Sequence, residues 1–255
     1  MGRFSDYIAL DAVQDITVAM AGSAAYKYEE DFDHGGRTVV DAALASETDP
    51  YGFFFDGGTD STGEWLVSYD TVVAATQLPA PSASVDGAFG IAVCTTDATS
   101  GERISYQKVG TSVVPTAAKP LIFRWRGKFT NTTQDAFIGL AVTGATDPHA
   151  SRPAGFVAFT LTGDAVLQKA TADAGAATAS AALNTTTSIV ANTYVELGLY
   201  WDGVDTWHFY VNGVSKGTSA LTPPTGLALS PVCCVESNGS AEAMFSDRIV
   251  IVAHR

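Results

Sequence analysis

The stretch from Tyr194 to Gly217, YVELGLYWDGVDTWHFYVNGVSKG, permits few folds. Val195, Leu197, Leu199 and Trp201 alternate with Tyr194, Glu196, Gly198 and Tyr200, which is the two-residue period of a strand with one apolar face. After a break at Asp202-Gly203-Val204 the alternation resumes through Asp205, Trp207, Phe209 and Val211. Asn212-Gly213 follows. Both residues tolerate positive φ, as a type I′ turn requires, so the chain should reverse at once through Val214. The block therefore reads as three antiparallel strands, with Leu197, Leu199, Trp207 and Phe209 in the core. Pairing Trp201 with Asp205 across the first turn sets Glu196 opposite Tyr210 and Gly198 opposite His208, leaving a shallow spot over the glycine between tyrosine rings.

Strand signals continue on both sides of this block. Tyr51–Phe55, Trp65–Tyr69, Phe89–Cys94, Arg103–Val109, Leu121–Phe129, Phe137–Val142, Phe156–Leu161 and Val166–Lys169 are short and rich in aromatic or β-branched residues. Clusters such as Asp56-Gly57-Gly58, Pro79-Ala80-Pro81, Ser100-Gly101 and Asp147-Pro148 bound them. Leu227–Glu236 and Ala243–Val252 close the series, while Thr171–Ser188 is an Ala/Thr/Gly tract that fits a flexible loop or weak edge strands. Thr38–Ala45 fits a helical turn or an irregular strand. About twelve to fourteen strands at this spacing predict an all-β sandwich or barrel. On Leu121–Phe129, Leu121, Phe123, Trp125 and Phe129 share one face and Arg124, Arg126 and Lys128 the other, a basic stripe that suits either a carboxylate-balanced outer face or contact with an acidic partner.

Residues 1–28 differ from the rest. Phe4, Ile8, Ala12, Ile16 and Met20 recur every four residues as on a helix, yet Ile16, Val18 and Met20 also alternate as on a strand. The segment reads as an N-terminal extension to a single β-sandwich domain over residues 29–255. It docks either on its own domain or, through Phe4, Ile8, Ile16 and Met20, on a neighbouring subunit.

A hydrophobic content of 46% against 16% charged residues supplies a core, and 27 acids against 14 bases give a formal charge of −13, which repels phosphate backbones. Nucleic acid is excluded as a partner. The three cysteines cannot complete a disulfide framework, and Cys233 and Cys234 point to opposite faces if they lie on a strand; they are predicted to be small free core residues. Asp6, Asp11, Gln14 and Asp15 interrupt the apolar run that a signal peptide needs, so no export signal is expected, and no apolar run of about eighteen residues predicts a membrane span.

TYVELGLYWDG, TWHFYVNGVSKG, the loop at Pro223-Pro224, GLALSPVCCVE and MFSDRIVIVA, with FRWRGKFT and DAFIGLAVTG upstream, resemble the concanavalin A-like lectin/glucanase jelly roll. In particular they resemble the laminin G-like domains of phage structural proteins. The resemblance covers roughly Glu30 to Ala253 and implies two antiparallel sheets packed face to face, of about six or seven strands each, with the last strand near the first. It carries no catalytic signature.

Glycosidases of this fold place acids alternately on one strand, about 5 Å apart for retention. Asp31 and Asp33 share such a spacing, but at a junction ahead of the sandwich signal. His34, His149, His208 and His254 are scattered, and Gly35-Gly36 and Gly57-Gly58 lack the Lys-Ser/Thr of a phosphate loop. Asp202 and Asp205, or Asp56 and Asp60, could ligate calcium, but acids in turns more often cap the backbone. No metal or cofactor is expected.

Tyr194, Tyr200, His208 and Tyr210 form the candidate contact patch, suited to a sugar, a protein partner or intramolecular packing. The expectation from sequence is a non-enzymatic virion protein that decorates or cements the capsid of a tailed phage. It would be assembled in the host cytoplasm as a homotrimer and bind the major capsid protein and sister subunits. The alternative is a carbohydrate-binding module for host-receptor recognition.

Overall fold

The structure is a computed structural model and describes residues 25–30, 65–69, 80–81, 92–108, 113–142, 153–172, 179–183, 186–219 and 224–254. These form fifteen strands: β1 Ala25–Glu30, β2 Trp65–Tyr69, β3 Ala80–Pro81, β4 Ala92–Thr95, β5 Arg103–Lys108, β6 Leu121–Phe129, β7 Asp135–Val142 and β8 Phe156–Leu161. There follow β9 Gln168–Ala172, β10 Ala179–Ala182, β11 Val195–Trp201, β12 Trp207–Val211, β13 Val214–Thr218, β14 Leu229–Glu236 and β15 Ala243–His254. Tyr51–Phe55, Thr38–Ala45, Asp31, Asp33, His34, His149, Asp56, Asp60, Phe4, Ile8, Ile16 and Met20 lie outside the described residues.

Two antiparallel sheets result. The eight-stranded sheet runs β13-β12-β11-β6-β15-β4-β3, and β1 also pairs with β15; the seven-stranded sheet runs β10-β9-β8-β7-β14-β5-β2. The long β15 pairs with β6 along one edge and divides its other edge between β4, at Ala243–Ser246, and β1, at Ile249–His254. The last strand thus lies beside the first, as the resemblance implied.

The inward sets of both sheets meet in one core. Phe123, Trp125, Leu197, Leu199, Trp201, Trp207 and Phe209 from one sheet face Ile104, Tyr106, Ile138, Leu140, Phe159, Cys233 and Val235 from the other. Phe159 and Phe209 meet across the layers at 5.2 Å and 81°. Each such buried side chain contributes about 1.5 to 3 kcal/mol. Cys233 lies in this core while Cys234 belongs to a second buried cluster with Phe137, Phe156 and Val232, so the two neighbours do point to opposite faces. All three cysteines are buried thiols outside any disulfide.

A polar node ties the layers together. Ser246 of β15 accepts hydrogen bonds from the Trp125 indole at 2.7 Å and from the Tyr106 hydroxyl of the opposing sheet. Gly127, opposite Ser246 in register, makes room for it: a Cβ there would come within 2.2 Å of the Trp125 ring and of the Phe245 carbonyl oxygen.

The expected register of the organising hairpin is corrected by two residues. Trp201 pairs with Trp207, Tyr200 with His208 and Gly198 with Tyr210. The reason is local: Oδ1 of Asp202 accepts from the backbone N–H groups of Val204, Asp205 and Thr206 at 2.8, 3.1 and 3.1 Å, and Asp202 N–H bonds the Thr206 carbonyl. That cap closes a longer loop and keeps Asp205 out of the ladder. The second turn is as expected, with Asn212 and Gly213 at φ 50° and 74° and Val211 paired with Val214.

Candidate functional site

On the side away from the main core the seven-stranded sheet buries Phe137, Ala141, Phe156, Ala158, Val232 and Cys234, and the Arg103–Glu236 pair stands on the same side at 3.9 Å. The outer face of the eight-stranded sheet is different. Strand alternation puts His208 and Tyr210 of β12, Glu196 and Tyr200 of β11, Arg124, Arg126 and Lys128 of β6, and Arg248 of β15 on it. Ile122, Val250 and Val252 on the same face are buried, so the open part lies over β11 and β12.

Tyr200 and His208 are direct cross-strand partners, with ring centroids 5.6 Å apart, and both are partly exposed. Tyr210 is opposite Gly198 and nearly buried, and Gly198 is buried too. The shallow spot expected over the glycine is therefore absent, because the true register sets a tyrosine, not His208, across from it. Burial lowers the His208 pKa below its ordinary 6.5, and Asp202, whose Oδ2 is 3.9 Å from Nε2, raises it by less. The imidazole is thus neutral at pH 7 and offers one donor and one acceptor. Burial, and then Tyr200, raise the Tyr210 hydroxyl, which stays protonated.

Further along β11 on the same face stands Glu196. Its Oε2 accepts from Arg124 Nη2 at 2.6 Å, and both side chains are mostly buried, at 13% and 22% exposure for Arg124 and Glu196. Arg126 pairs with Asp247 and stacks 4.3 Å over the Tyr194 ring, and Lys128 lies 4.9 Å from Tyr194 and 5.2 Å from Phe245. The basic stripe is therefore balanced by carboxylates and aromatic rings, the first of its two readings. Arg124, Arg126, Glu196, Arg248, Trp125 and Val250 line a depression of about 30 Å³.

Of the four candidate contact residues, the fold brings Tyr200, His208 and Tyr210 together and sets Tyr194 apart, beneath Arg126. Glu196 is on the face that alternation gives it, whereas its pairing with Arg124 and the presence of Arg248 on this face were not anticipated. The calcium reading of Asp202 and Asp205 gives way to the capping one: Asp202 holds the loop, and Asp205 accepts from the Thr206 hydroxyl at 2.6 Å. No group of three His, Cys, Asp or Glu side chains placed to hold a metal occurs among the described residues.

No protein-family model matches the sequence, and no curated protein is significantly similar to it. Solved structures do share the architecture. An endo-1,3-β-glucanase from Streptomyces sioyaensis superposes with TM-score 0.54 at 16% identity, over 92% of this chain and 98% of that one. A β-1,3-1,4-glucanase (lichenase) from a mouse hindgut metagenome gives 0.54 at 10% identity, over 88% and 98%. The carbohydrate recognition domain of Emp46p, potassium-bound, gives 0.50 at 9% identity, over 74% and 88%. This is the concanavalin A-like jelly-roll fold. At such identities the likeness carries the fold alone. It still corrects one expectation. The concanavalin A-like sandwich is a scaffold of endo-glucanases, so the lack of a paired-acid motif in the sequence does not make the protein a non-enzyme. The virion and capsid setting gains no support from these matches.

Proposed function

We propose that the protein binds carbohydrate on the outer face of its eight-stranded sheet, along β11. One observation carries the reading. A partly exposed aromatic pair, Tyr200 and His208, stands on the same strand face as the Arg124–Glu196 pair, four residues away, or roughly 13 Å along the strand. Sugars present an apolar C–H face and a rim of hydroxyls. A ring pair accommodates the first and a guanidinium–carboxylate pair the second. The span exceeds one sugar ring, which suits an oligosaccharide. The fold supports the reading as a prior: chains that share it include a carbohydrate recognition domain and two glucanases.

Retaining hydrolysis requires two carboxylates about 5 Å apart. Among the described residues of this face, Glu196 and Asp247 are each paired with an arginine, and Asp202 lies 3.9 Å from His208. A capsid-decoration role has no observation in its favour among the described residues.

The test is a glycan array followed by titration calorimetry on the bound sugars. Tyr200→Ala is expected to weaken binding by roughly 1 to 3 kcal/mol, about 5- to 150-fold, through loss of the ring surface. Absence of binding across a broad array, or wild-type affinity in Tyr200→Ala and His208→Ala, contradicts the proposal.

A further inference from the structure

Asparagine is thermolabile because the backbone nitrogen of the next residue can attack its carboxamide carbon. The attack is easiest when glycine follows, since no Cβ shields the nitrogen and the backbone rotates freely. Of the five asparagines in the chain, Asn131, Asn184 and Asn192 precede threonine, whose branched Cβ crowds the approach, and Asn212 and Asn238 precede glycine. The fold treats these two Asn-Gly pairs differently.

Asn212 is held. Its Oδ1 accepts from the Glu196 N–H at 2.8 Å and its own N–H bonds the Glu196 carbonyl at 2.8 Å, which fastens the carboxamide to β11. The Val211–Val214 pair closes the same turn. Asn238 lies in the loop from β14 to β15, where Asn238, Gly239 and Ser240 are all exposed. Its Nδ2 donates to the Thr133 carbonyl at 3.4 Å and the Gly239 N–H to Ser237 Oγ at 3.2 Å, both at or beyond the long end of the usual range. Gly239 has φ 90°, and the space where its Cβ would stand is open.

The surroundings also fix what a change at Asn238 would do. A Cβ on Gly163, between β8 and β9, would stand 2.9 Å from Asn238 Nδ2 and 3.8 Å from Asp135 Oδ1, so the two side chains border one space. An amide donor suits the Thr133 carbonyl and a nearby carboxylate. A second carboxylate repels both.

We infer that Asn238 is a site of spontaneous deamidation, and that the reaction loosens the end of the sandwich where the β6–β7, β8–β9 and β14–β15 loops meet. The Gly239 nitrogen gives its proton to solvent and bonds to Asn238 Cγ, the Cγ–Nδ2 bond breaks, and ammonia leaves. Water then adds to one of the two carbonyl carbons of the succinimide and opens it to aspartate or isoaspartate. The step consumes only water.

Incubation of the full chain in mildly alkaline heavy-oxygen water, followed by peptide mass mapping, tests the site. Amide-to-acid exchange with uptake of one heavy oxygen is expected about 10-fold faster at Asn238 than at Asn212, which must first release a hydrogen bond. In urea-unfolded protein the two rates should converge. Equal rates in the folded protein, faster conversion at Asn212, or an Asn238 that keeps its amide each contradict the inference. Asn238→Asp installs the product carboxylate directly and is expected to melt roughly 2 to 4 °C below wild type. Wild type should drift towards that value during incubation while Asn238→Gln holds steady. A melting temperature of Asn238→Asp equal to that of wild type overturns the loosening.

Discussion

Single residues set the limits of this fold at places where the sequence looks unremarkable. Gly127 sits mid-strand, where a glycine ordinarily weakens a sheet, yet the Trp125 ring occupies the space that its Cβ would take. Gly127→Ala is expected to cost about 2 to 4 kcal/mol in urea unfolding, because either the ring or the β15 backbone at Phe245 has to move. Glu242 offers the opposite case. It is buried, its Oε1 accepts from Asn131 and Thr133, and among the described residues its Oε2 has no hydrogen-bond partner. Burial raises its pKa, and the Asn131 and Thr133 bonds lower it by less. A folded-state pKa above the unfolded value means that the folded protein holds the extra proton. The stability this gives is full at pH below 4.5 and is lost as pH rises through the folded-state pKa. Glu242→Gln keeps the acceptor and removes the charge. It should therefore unfold at a higher temperature than wild type at pH 7, with the difference disappearing near pH 4; a variant less stable than wild type at pH 7 contradicts this.

At the scale of elements, the strands were legible because alternation is a local property. Leu121–Phe129 and Phe156–Leu161 fall where their aromatic and β-branched residues put them, and Asn212-Gly213 makes the turn that its φ tolerance dictates. The register was not legible. It depends on the Asp202 carboxylate gathering three backbone N–H groups, a choice of loop that a run of Asp, Gly and Val does not announce. Asp202→Ala should destabilise the protein by about 1 to 2 kcal/mol in chemical denaturation, since three N–H groups lose a charged acceptor and only partly regain it from water. An unchanged midpoint would show that the loop holds its shape without the cap. The Ala/Thr/Gly tract takes its edge-strand reading at one point: Ala179–Ala182 pairs with β9 at the end of the sheet order, where small side chains suffice.

Over the whole molecule, the sandwich was readable and the candidate site only half so. The tyrosines and His208 belong to one contiguous hairpin, but the arginines that join them come from far away in the chain. Arg124 meets Glu196 across 72 residues, and Arg126 meets Asp247 across 121. Charge alternation on β6 reveals that a basic stripe exists, not which strand is hydrogen-bonded beside it. Pairing of β1 with β15 likewise extends the sheet with residues 25–30, a pairing that no local pattern in the sequence announces. The consequence is a molecule in which one sheet buries an apolar cluster on its outer side and the other carries aromatic, cationic and carboxylate groups together on its own. Backbone amide shift mapping during titration with an oligosaccharide selected on an array reads that face residue by residue. Carbohydrate binding along β11 predicts the largest changes at Arg124, Glu196, Tyr200 and His208, with little change on β7, β8 and β14. Changes concentrated on the seven-stranded sheet or on the loops at the ends of the sandwich, with β11 and β12 silent, would contradict it.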